Sequence, residues 1–286
     1  MKKILVLTNF SESANHAAEF AVELALRIPA DVLLFNSLTT NPILPVFTDG
    51  PWLADEGSGW ANSGLKEMHS LAGELRLKIE NNAGKMPSPK VLTSFGEGDL
   101  GLNIKQLCRQ HRISLIVMGS RTGSGLSHLL YGSDTSSVIN QTPVPVLIVP
   151  PKGELTSIDK MLLATDFKAT DREALRYMVN LAKTLNCKVG VVHIHPPGKL
   201  STNTITKTTR FLELLHSVDG AVISFHEVGR KDILAGLQRT CRNSGAGLLA
   251  LVHRKRSLIG GLISQSTTKA AINRQQLPLL VYPSKS

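Results

Sequence analysis

Cysteine is scarce in this sequence, and long apolar segments are missing. The three cysteines, Cys108, Cys187 and Cys241, form no Cys-x-x-Cys pair, and an odd number cannot all pair within one chain. These counts exclude a disulfide scaffold and a cysteine-rich zinc site. No apolar run approaches the ~20 residues that cross a bilayer, so we expect no membrane-spanning helix.

The first apolar run is too short for an export signal. Met1-Lys2-Lys3 precedes only four apolar residues, Ile4–Leu7, whereas the apolar region of a signal peptide has about 7–15 residues. The sequence therefore predicts a cytoplasmic protein that does not associate with membranes.

Known catalytic motifs are missing as well. The sequence contains no nucleophile elbow, no zinc-protease motif and no protein-kinase motif set. It also lacks the Gly-Lys-[Ser/Thr] sequence that ends a Walker A loop. We predict no enzymatic activity beyond slow ATP hydrolysis, and the sequence identifies no general base for it.

Positive charge is concentrated in the second half of the chain, which has 286 residues in all. Residues 1–150 carry 12 Lys and Arg against 13 Asp and Glu, a net charge of −1, whereas residues 151–286 carry 20 against 9, a net charge of +11. Such an excess attracts anions at a distance. The second half is therefore a candidate surface for an anionic partner.

The two halves are degenerate copies of one unit. Lys3–Phe10 (KILVLTNF) reappears 157 residues later as Lys160–Phe167 (KMLLATDF). Between the copies lies Pro150–Gly153, whose proline and glycine are typical of a linker. We therefore predict one domain over residues 1–150 and a second over residues 151–286.

Short apolar runs alternate with helical segments in the first copy. Strands are predicted at Ile4–Leu7, Asp31–Phe35, Lys90–Ser94, Ser114–Met118 and Val144–Val149. Helices are predicted from an N-cap at Ser11 to about Ile28, over Leu65–Asn82 and Asn103–His111, and from Ser133 to Asn140, with a long loop at 39–64 that holds Trp52 and Trp60. This alternation indicates an α/β fold in which each copy is a five-stranded parallel sheet flanked by helices.

A glycine-rich loop follows the predicted fourth strand. It runs from Gly119 to Gly125, and Gly132-Ser133 stands at the start of the next helix. Glycine lets the backbone approach a phosphate, and N–H groups at a helix N-terminus stabilise its negative charge. Arg121 adds a cation and Ser133 a hydroxyl donor. The segment predicts a phosphate-binding loop, and a tight loop without a ligand is the alternative.

These features resemble the universal stress protein family in its tandem two-domain form. The resemblance rests on Ile4–Ser11, Met118–Ser133 and the closing segment Pro143–Val149. It implies a Rossmann-like fold of the adenine-nucleotide α-hydrolase type. It also implies a stress-response regulator whose first domain binds an adenine nucleotide (ATP, ADP or AMP, with or without Mg²⁺) as a conformational signal. The residues that match the family's binding positions are Thr8, Asn9 and Ser37 near the adenine and ribose, and Met118, Gly119, Arg121, Thr122, Gly123, Gly132, Ser133 and Thr135 around the ribose and phosphates.

Three positions depart from the family pattern. Thr122 stands where the second glycine of the motif belongs, Asn9 stands where the family usually has Asp, and Asp134 places an acid beside the expected phosphates. Gly123 follows Thr122 and partly compensates for it. A vestigial site, or a site with another use, is therefore the alternative.

The second copy has lost the glycine-rich loop. Val252 and Gln265 stand where the first copy has Gly119 and Gly132, so we expect side chains to fill the space that a phosphate needs. The same segment has gained a basic cluster, Arg254, Lys255 and Arg256. We interpret this cluster either as a solvated basic face or as a docking surface for an anionic partner, RNA included. No aromatic residues interleave with it to stack on bases.

Two further patterns have ordinary structural interpretations. His193-x-His195 ends a predicted strand, where residues i and i+2 share a face and can contact one metal ion. No acidic or cysteine partner lies at a characteristic spacing, so buried or edge histidines are the favoured alternative. Cys108 and Cys241 occupy the same repeat position, which favours small buried side chains over a redox pair.

The last strand of each copy is apolar. The resemblance implies that Val144–Val149 and Leu277–Tyr282 pair across the copies, which buries strand edges that promote aggregation. We therefore predict an intramolecular pseudo-dimer of the two domains, and a homodimer of whole chains is a further level of assembly. The rival function is that of an interaction protein that binds no nucleotide and docks a partner on its basic second domain.

Overall fold

The structure, a computed structural model, describes residues 1–38, 53–82, 88–120, 133–151, 158–198, 206, 209, 211, 213, 223–253 and 277–283. Only the backbone is described for residues 38, 53–62, 133, 134 and 223.

The first half of the chain alternates strands and helices. Its strands are β1 Lys2–Leu7, β2 Ala30–Leu38, β3 Val91–Glu97, β4 Ile113–Gly119 and β5 Val146–Val149. Its helices are α1 Glu12–Ala25, α2 Leu53–Asn81, α3 Leu100–Gln110 and α4 Ser133–Gln141.

The second half repeats this alternation. Its strands are β6 Lys160–Ala164, β7 Lys188–His195, β8 Ile223–Gly229, β9 Leu248–His253 and β10 Leu279–Pro283. Its described helices are α5 Ala169–Leu185 and α6 Ile233–Ser244. Within the ranges given above, no helix is both long and apolar enough to cross a membrane.

The ten described strands form one sheet in the order β3-β2-β1-β4-β5-β10-β9-β6-β7-β8. Neighbouring strands are parallel within each half, whereas β5 and β10 pair antiparallel, with Leu147 opposite Leu280. The predicted parallel α/β fold is confirmed, and the closing strands pair across the halves as expected. The antiparallel ladder makes the two five-stranded sheets one continuous sheet.

Helices cover both faces of the sheet. Ile4 and Val117 lie in a core cluster with α1, α2 and α5 on one face. Leu5 and Ile116 lie in a second cluster with α3, α4 and α6 on the other face. Because successive strand residues point to opposite faces, a strand covered on both sides needs a continuous apolar run. This explains why central strands such as β1 and β4 show no alternation of polar and apolar residues.

Capping residues define several helix ends. Ser11 Oγ accepts a hydrogen bond from Ala14 N at 3.4 Å at the start of α1, as predicted for this N-cap. Asp99 and Asp232 cap α3 and α6 in the same way, at corresponding positions of the two halves. Asn186 adopts a left-handed conformation, with a φ of 55°, and ends α5.

Several predicted boundaries are wrong; helix α3, for example, begins at Leu100 rather than at Asn103. Helix α1 ends at Ala25 rather than near Ile28. Helix α2 begins at Leu53, so the end of the predicted 39–64 loop is helical and the backbone of Trp60 lies in the helix. The segment Gly57-Ser58-Gly59 has low helix propensity, which concealed this extension in the sequence. Trp52 lies outside the described residues.

Candidate functional site

The order of strands reverses at β1 in the first half. Strand β1 lies between β2 and β4. From β1 the chain continues to β2 and β3 on one side, and it then crosses to β4 and β5 on the other side. Open parallel sheets bind ligands at such a switch point, outside the carboxyl ends of the strands. Leu7 pairs with Phe35 of β2 and with Met118 of β4. Thr8 and Gly119, two predicted site residues, therefore follow side by side at this end of the sheet.

The turn after β1 is stabilised by its own side chains. Phe10 has a left-handed φ of 61°, and its N–H donates to Thr8 Oγ1 at 3.0 Å. Asn9 Oδ1 accepts hydrogen bonds from Ser11 N at 3.2 Å and from Ser11 Oγ at 2.6 Å. Because these bonds orient the Asn9 oxygen toward Ser11, the exposed Asn9 presents its Nδ2 donor outward. An Asp at this position would present an acceptor instead.

Gly119 lies directly beneath the first turn of α1. A Cβ atom at this position would collide with the carbonyl oxygen of Ser13, and it would lie 2.6 Å from the carbonyl carbon of Ser13 and 3.0 Å from Ala14 N. These are backbone atoms of a helix, so they cannot give way individually. The sequence interpretation assigned this glycine to the approach of a phosphate. The structure adds a packing requirement that applies with or without a ligand.

Asn36 is a polar residue at this site that the sequence interpretation did not name. It lies near the end of β2 with 8% of its surface exposed. Its Nδ2 donates to the carbonyl oxygen of Thr8 at 2.8 Å, which brings the amide over the end of β1. The signal in the sequence was a polar residue on the same strand face as the apolar residues Val32 and Leu34.

The side chain of Ser37 lies on the face of the sheet opposite to that of Asn36. Its Oγ donates to Gly98 O at 3.1 Å and accepts a hydrogen bond from Asn103 Nδ2 at 3.3 Å. Asn103 also donates to Glu97 O at 3.0 Å. Ser37 therefore joins β2 to the turn between β3 and α3, and it lies apart from the amide of Asn36.

The remaining predicted residues have different surroundings. Met118 packs in the core cluster on the face that α3 and α4 cover. Thr135 is buried in the first turn of α4, and the backbone of Ser133 begins that helix. Arg121, Thr122, Gly123 and Gly132 lie outside the described residues, as does the side chain of Asp134. The role of all these residues in binding stays a prediction.

The corresponding switch point of the second half, between β6 and β9, contains side chains. Val252 occupies the position of Gly119 and is 1% exposed. Asp171, which replaces Ala14 of the first half, is also 1% exposed. Its Oδ2 accepts hydrogen bonds from Thr165 Oγ1 at 2.7 Å, Asp166 N at 3.1 Å and Lys168 N at 3.2 Å. The turn after β6 is therefore closed by a buried carboxylate of the chain itself.

His193 occupies the position of Asn36 in the second half. Its Nδ1 lies 2.9 Å from Thr165 O, so the ring N–H donates to the same carbonyl position as Asn36 does in the first half. The imidazole ring lies against the ring of Phe167, with 4.3 Å between centroids. Phe167 in turn contacts Phe211 and Phe225. An aromatic cluster thus fills the place next to the end of β6.

His195 stacks on His193 with ring centroids 6.1 Å apart, and its Nδ1 donates to Pro196 O at 2.9 Å. Both histidines thus use one ring nitrogen for a backbone carbonyl. Across the part of the chain that the structure describes, no three His, Cys, Asp or Glu side chains are arranged to hold a metal ion.

The cysteines are free thiols in structural positions. Cys241 is fully buried in α6 and Cys108 is half-buried in α3. Burial raises the pKa of Cys241 to about 12 and that of Cys108 to about 11. Such thiols remain protonated and unreactive at neutral pH. The predicted structural role is confirmed for Cys241 and holds in part for Cys108.

The basic cluster Arg254, Lys255 and Arg256 lies outside the described residues. His253, which directly precedes it, ends β9. The Nε2–H of His253 donates to Asn140 Oδ1 of α4 at 2.9 Å, and this bond joins the second half to the first.

Comparison with known proteins gives the same family as the sequence pattern. The chain matches the model described as "Universal stress protein family" over residues 1–150 and again over residues 157–283. It is 29% identical over 160 residues to a universal stress protein of Methanocaldococcus jannaschii, a match that covers 54% of this chain and 85% of that protein.

Two solved structures share the fold over the whole chain. A universal stress protein from Archaeoglobus fulgidus has a TM-score of 0.70 at 21% identity, with 99% of this chain and 97% of that chain covered. A protein from Pseudomonas aeruginosa, described as a putative universal stress protein, has a TM-score of 0.56 at 17% identity, with 98% and 92% covered. Because the family model matches both halves in tandem, the chain belongs to the universal stress protein family.

Proposed function

We propose that the protein is a stress-response regulator that binds one adenine nucleotide at the switch point of its first half. The observation that carries this proposal is the difference between the two switch points. In the first half, Gly119 and the amides of Asn9 and Asn36 surround the end of β1. In the second half, buried Val252 occupies the place of Gly119, and His193 occupies the place of Asn36. The bound nucleotide acts as a conformational signal.

The proposed orientation follows from the order of the strands. The phosphates lie at the end of β4, where the glycine-rich segment precedes the N-terminus of α4, since backbone N–H groups there stabilise anions. The ribose lies over the end of β1, and the base lies toward β2. Asn9 donates from its Nδ2 group, because its oxygen is bonded to Ser11.

Calorimetric titration of the whole chain with ATP, ADP and AMP, with and without Mg²⁺, tests the proposal. We expect one nucleotide per chain. A stoichiometry of two would contradict the assignment of the second switch point as closed. The absence of heat with all three nucleotides, confirmed by equilibrium dialysis, would leave the chain as an interaction protein.

A charge-removing variant separates phosphate contact from general effects on the fold. We expect Arg121→Gln to weaken ATP binding by about tenfold, because it removes one charge-assisted hydrogen bond. AMP should lose less affinity, since it carries fewer phosphates. Arg109→Gln is the matched control, because Arg109 is exposed on α3, away from the switch point.

We also propose that the basic second half docks an anionic partner. The net charge of +11 over residues 151–286 supports this second function. Arg230 and Lys231 follow β8 at the same end of the sheet as His253 of β9. These two described positive side chains thus lie at one end of the sheet, where an extended anion can contact both of them.

A further inference from the structure

The amide of Asn36 has a defined orientation. Its Nδ2 donates to Thr8 O at 2.8 Å in a position that is 8% exposed. Rotation of the amide by half a turn would place two oxygen atoms against each other, so the hydrogen bond determines which atom is the oxygen. Asn36 Oδ1 therefore points away from the Thr8 carbonyl.

This oxygen is a buried acceptor that lacks a donor. Among the described residues, no group donates a hydrogen bond to Asn36 Oδ1. Buried polar atoms in folded proteins nearly always have a partner, because an unpaired one has lost its hydration without replacement. Here the acceptor lies beside Thr8, at the end of β1 where the switch point begins. A donor brought by a ligand would complete it.

The second half shows what the same position becomes at a closed switch point. His193 repeats the hydrogen bond of Asn36, with Nδ1 at 2.9 Å from Thr165 O. It places an aromatic ring against Phe167 where the first half has the amide oxygen. The unpaired amide acceptor is therefore a feature of the half that keeps Gly119.

The chemistry of this position excludes most parts of a nucleotide. At neutral pH a phosphate offers acceptors only, and two acceptors repel. The phosphates also belong at the end of β4, on the far side of β1 from β2. A base at the end of β2 can offer an exocyclic amine, which is a hydrogen-bond donor. The planar ring of the base also suits a position that is shielded from water.

We propose that Asn36 is the residue that determines base specificity, and that its Oδ1 accepts a hydrogen bond from the exocyclic 6-amine of a purine. The inference rests on the proposed nucleotide site and adds a selection rule to it. The site accepts a 6-amino purine and rejects a 6-oxo purine, whose oxygen would face Asn36 Oδ1. Rejection is strong in such sites because a buried acceptor is then left opposed by another acceptor.

The test uses AMP and IMP, which differ in this group and in the protonation of the neighbouring ring nitrogen. Calorimetric titration of the whole chain should show AMP binding at least about tenfold tighter than IMP, which corresponds to about 1.4 kcal/mol. Asn36→His copies the second half, because an imidazole that donates from Nδ1 to Thr8 O has a carbon, Cδ2, in place of the amide oxygen. Its remaining acceptor, Nε2, lies one bond farther out. We expect this variant to lose the preference for AMP. His193→Asn, the reciprocal change, should leave the preference unchanged.

The outcomes separate the inference from the proposed function. Binding of AMP and IMP with equal affinity to the unaltered chain would overturn the role of Asn36 and leave the nucleotide site in place. Failure of every nucleotide to bind would overturn both. Asn36→Leu, which has no acceptor, is measured beside Asn36→His, and circular dichroism checks the fold of both variants. A preference for AMP that persists in folded Asn36→Leu would also overturn the inference.

A ribose hydroxyl is the competing donor, and 2′-deoxy-AMP and 3′-deoxy-AMP test it. Under the proposal, Asn36 does not bond to the ribose. Substitution of Asn36 should therefore change the affinity for either deoxy ligand by the same factor as the affinity for AMP. If substitution of Asn36 removes discrimination against a deoxy ligand rather than against IMP, the acceptor serves the ribose and the proposal is wrong.

Discussion

At the scale of single residues, Gly119 has a packing role against helix α1 in addition to its proposed role near the phosphates of the ligand. A methyl group at this position meets the backbone of Ser13. We predict that Gly119→Ala lowers the free energy of unfolding by about 1–3 kcal/mol, the usual cost of overpacking. Chemical denaturation measures this change.

Gly73 in α2 provides the control for this variant. A Cβ atom there has no heavy atom within 4 Å, and Ala is favoured over Gly within a helix. Gly73→Ala should therefore be neutral or stabilising. Unfolding of Gly119→Ala at the denaturant concentration of the parent chain would contradict the packing role. Because that role exists without a ligand, loss of nucleotide affinity in a Gly119 variant does not by itself prove a phosphate contact.

His226 provides a prediction of pH dependence at the same scale. Its Nε2 lies 3.5 Å from Nζ of Lys160 on β6, and an ammonium group only donates, so the ring is neutral. Burial, together with the positive charge of Lys160, lowers the pKa of His226 below its ordinary value of 6.5. As the pH falls through 6.5, the unfolded chain takes up this proton before the folded chain does. This difference in proton uptake therefore lowers the free energy of unfolding as the pH falls from 6.5 toward the pKa of His226 in the folded chain.

We predict that Lys160→Met raises the pKa of His226, because it removes the nearby positive charge. The pKa is measured by NMR titration of the His226 ring protons. His226→Gln should reduce the loss of stability between pH 7 and pH 5. An unchanged His226 pKa in Lys160→Met would show that burial alone lowers it.

At the scale of elements, the turns after β1 and β6 have the same backbone but different supports. Phe10 and Phe167 both have left-handed φ values, 61° and 65°, and each N–H donates to the threonine two residues earlier. The first turn relies on Ser11, and the second relies on the buried carboxylate of Asp171. A Thr-x-Phe sequence therefore specifies the turn, and the following helix provides its support.

We predict that Asp171→Ala destabilises the chain by about 2 kcal/mol or more, because three donors lose a charged acceptor. Ser11→Ala, in the other turn, should cost about 1 kcal/mol, the usual value for a helix N-cap. Denaturation of both variants gives the comparison. Equal effects would mean that Asp171 contributes no more than an ordinary cap.

At the scale of the whole molecule, the two halves are joined by a backbone ladder and by a side-chain hydrogen bond. Strands β5 and β10 form the ladder, and His253 donates to Asn140 across the halves. We predict that His253→Ala and Asn140→Ala each cost about 1 kcal/mol of stability. The double variant should cost less than the sum, because both changes remove the same bond. Strictly additive losses would show that the bond contributes nothing.

The uneven charge leads to a prediction about partners. We expect binding to RNA to weaken steeply with salt, because each neutralised phosphate releases condensed counterions. Replacing Arg254, Lys255 and Arg256 with Gln should reduce the slope of log affinity against log salt by about 0.7 for each phosphate that the variant no longer neutralises. Filter binding across a salt series measures the slope, with heparin as a polyanion that has no bases.

The controls for this experiment follow from the structure. Arg76 donates to Val91 O and Lys78 pairs with Glu19 and Glu23, so their substitution alters the fold as well as the charge. The exposed residues Lys66, Lys105 and Arg109 of the first half are better controls. Their replacement by Gln should change the slope little. No RNA binding at low salt would leave a solvated basic face as the interpretation.

The sequence by itself determined the repeat, the α/β class and most strand positions. Those features depend on local order: apolar runs such as Ile4–Leu7 are visible in the chain because both faces of the sheet are covered. Capping by Ser11 was predictable for the same reason, since its partner lies three residues away. The family followed from motifs of this local kind.

The tertiary structure alone decided which of these residues meet. Only the parallel pairing of β1, β2 and β4 places Gly119 under Ser13, and only this placement brings Asn36 to Thr8 while Ser37 contacts Asn103. Adjacent strand residues point to opposite faces, so Asn36 and Ser37 are neighbours in sequence and belong to different surroundings. Packing and hydrogen bonds between residues far apart in the chain depend on that geometry, which a single sequence does not display.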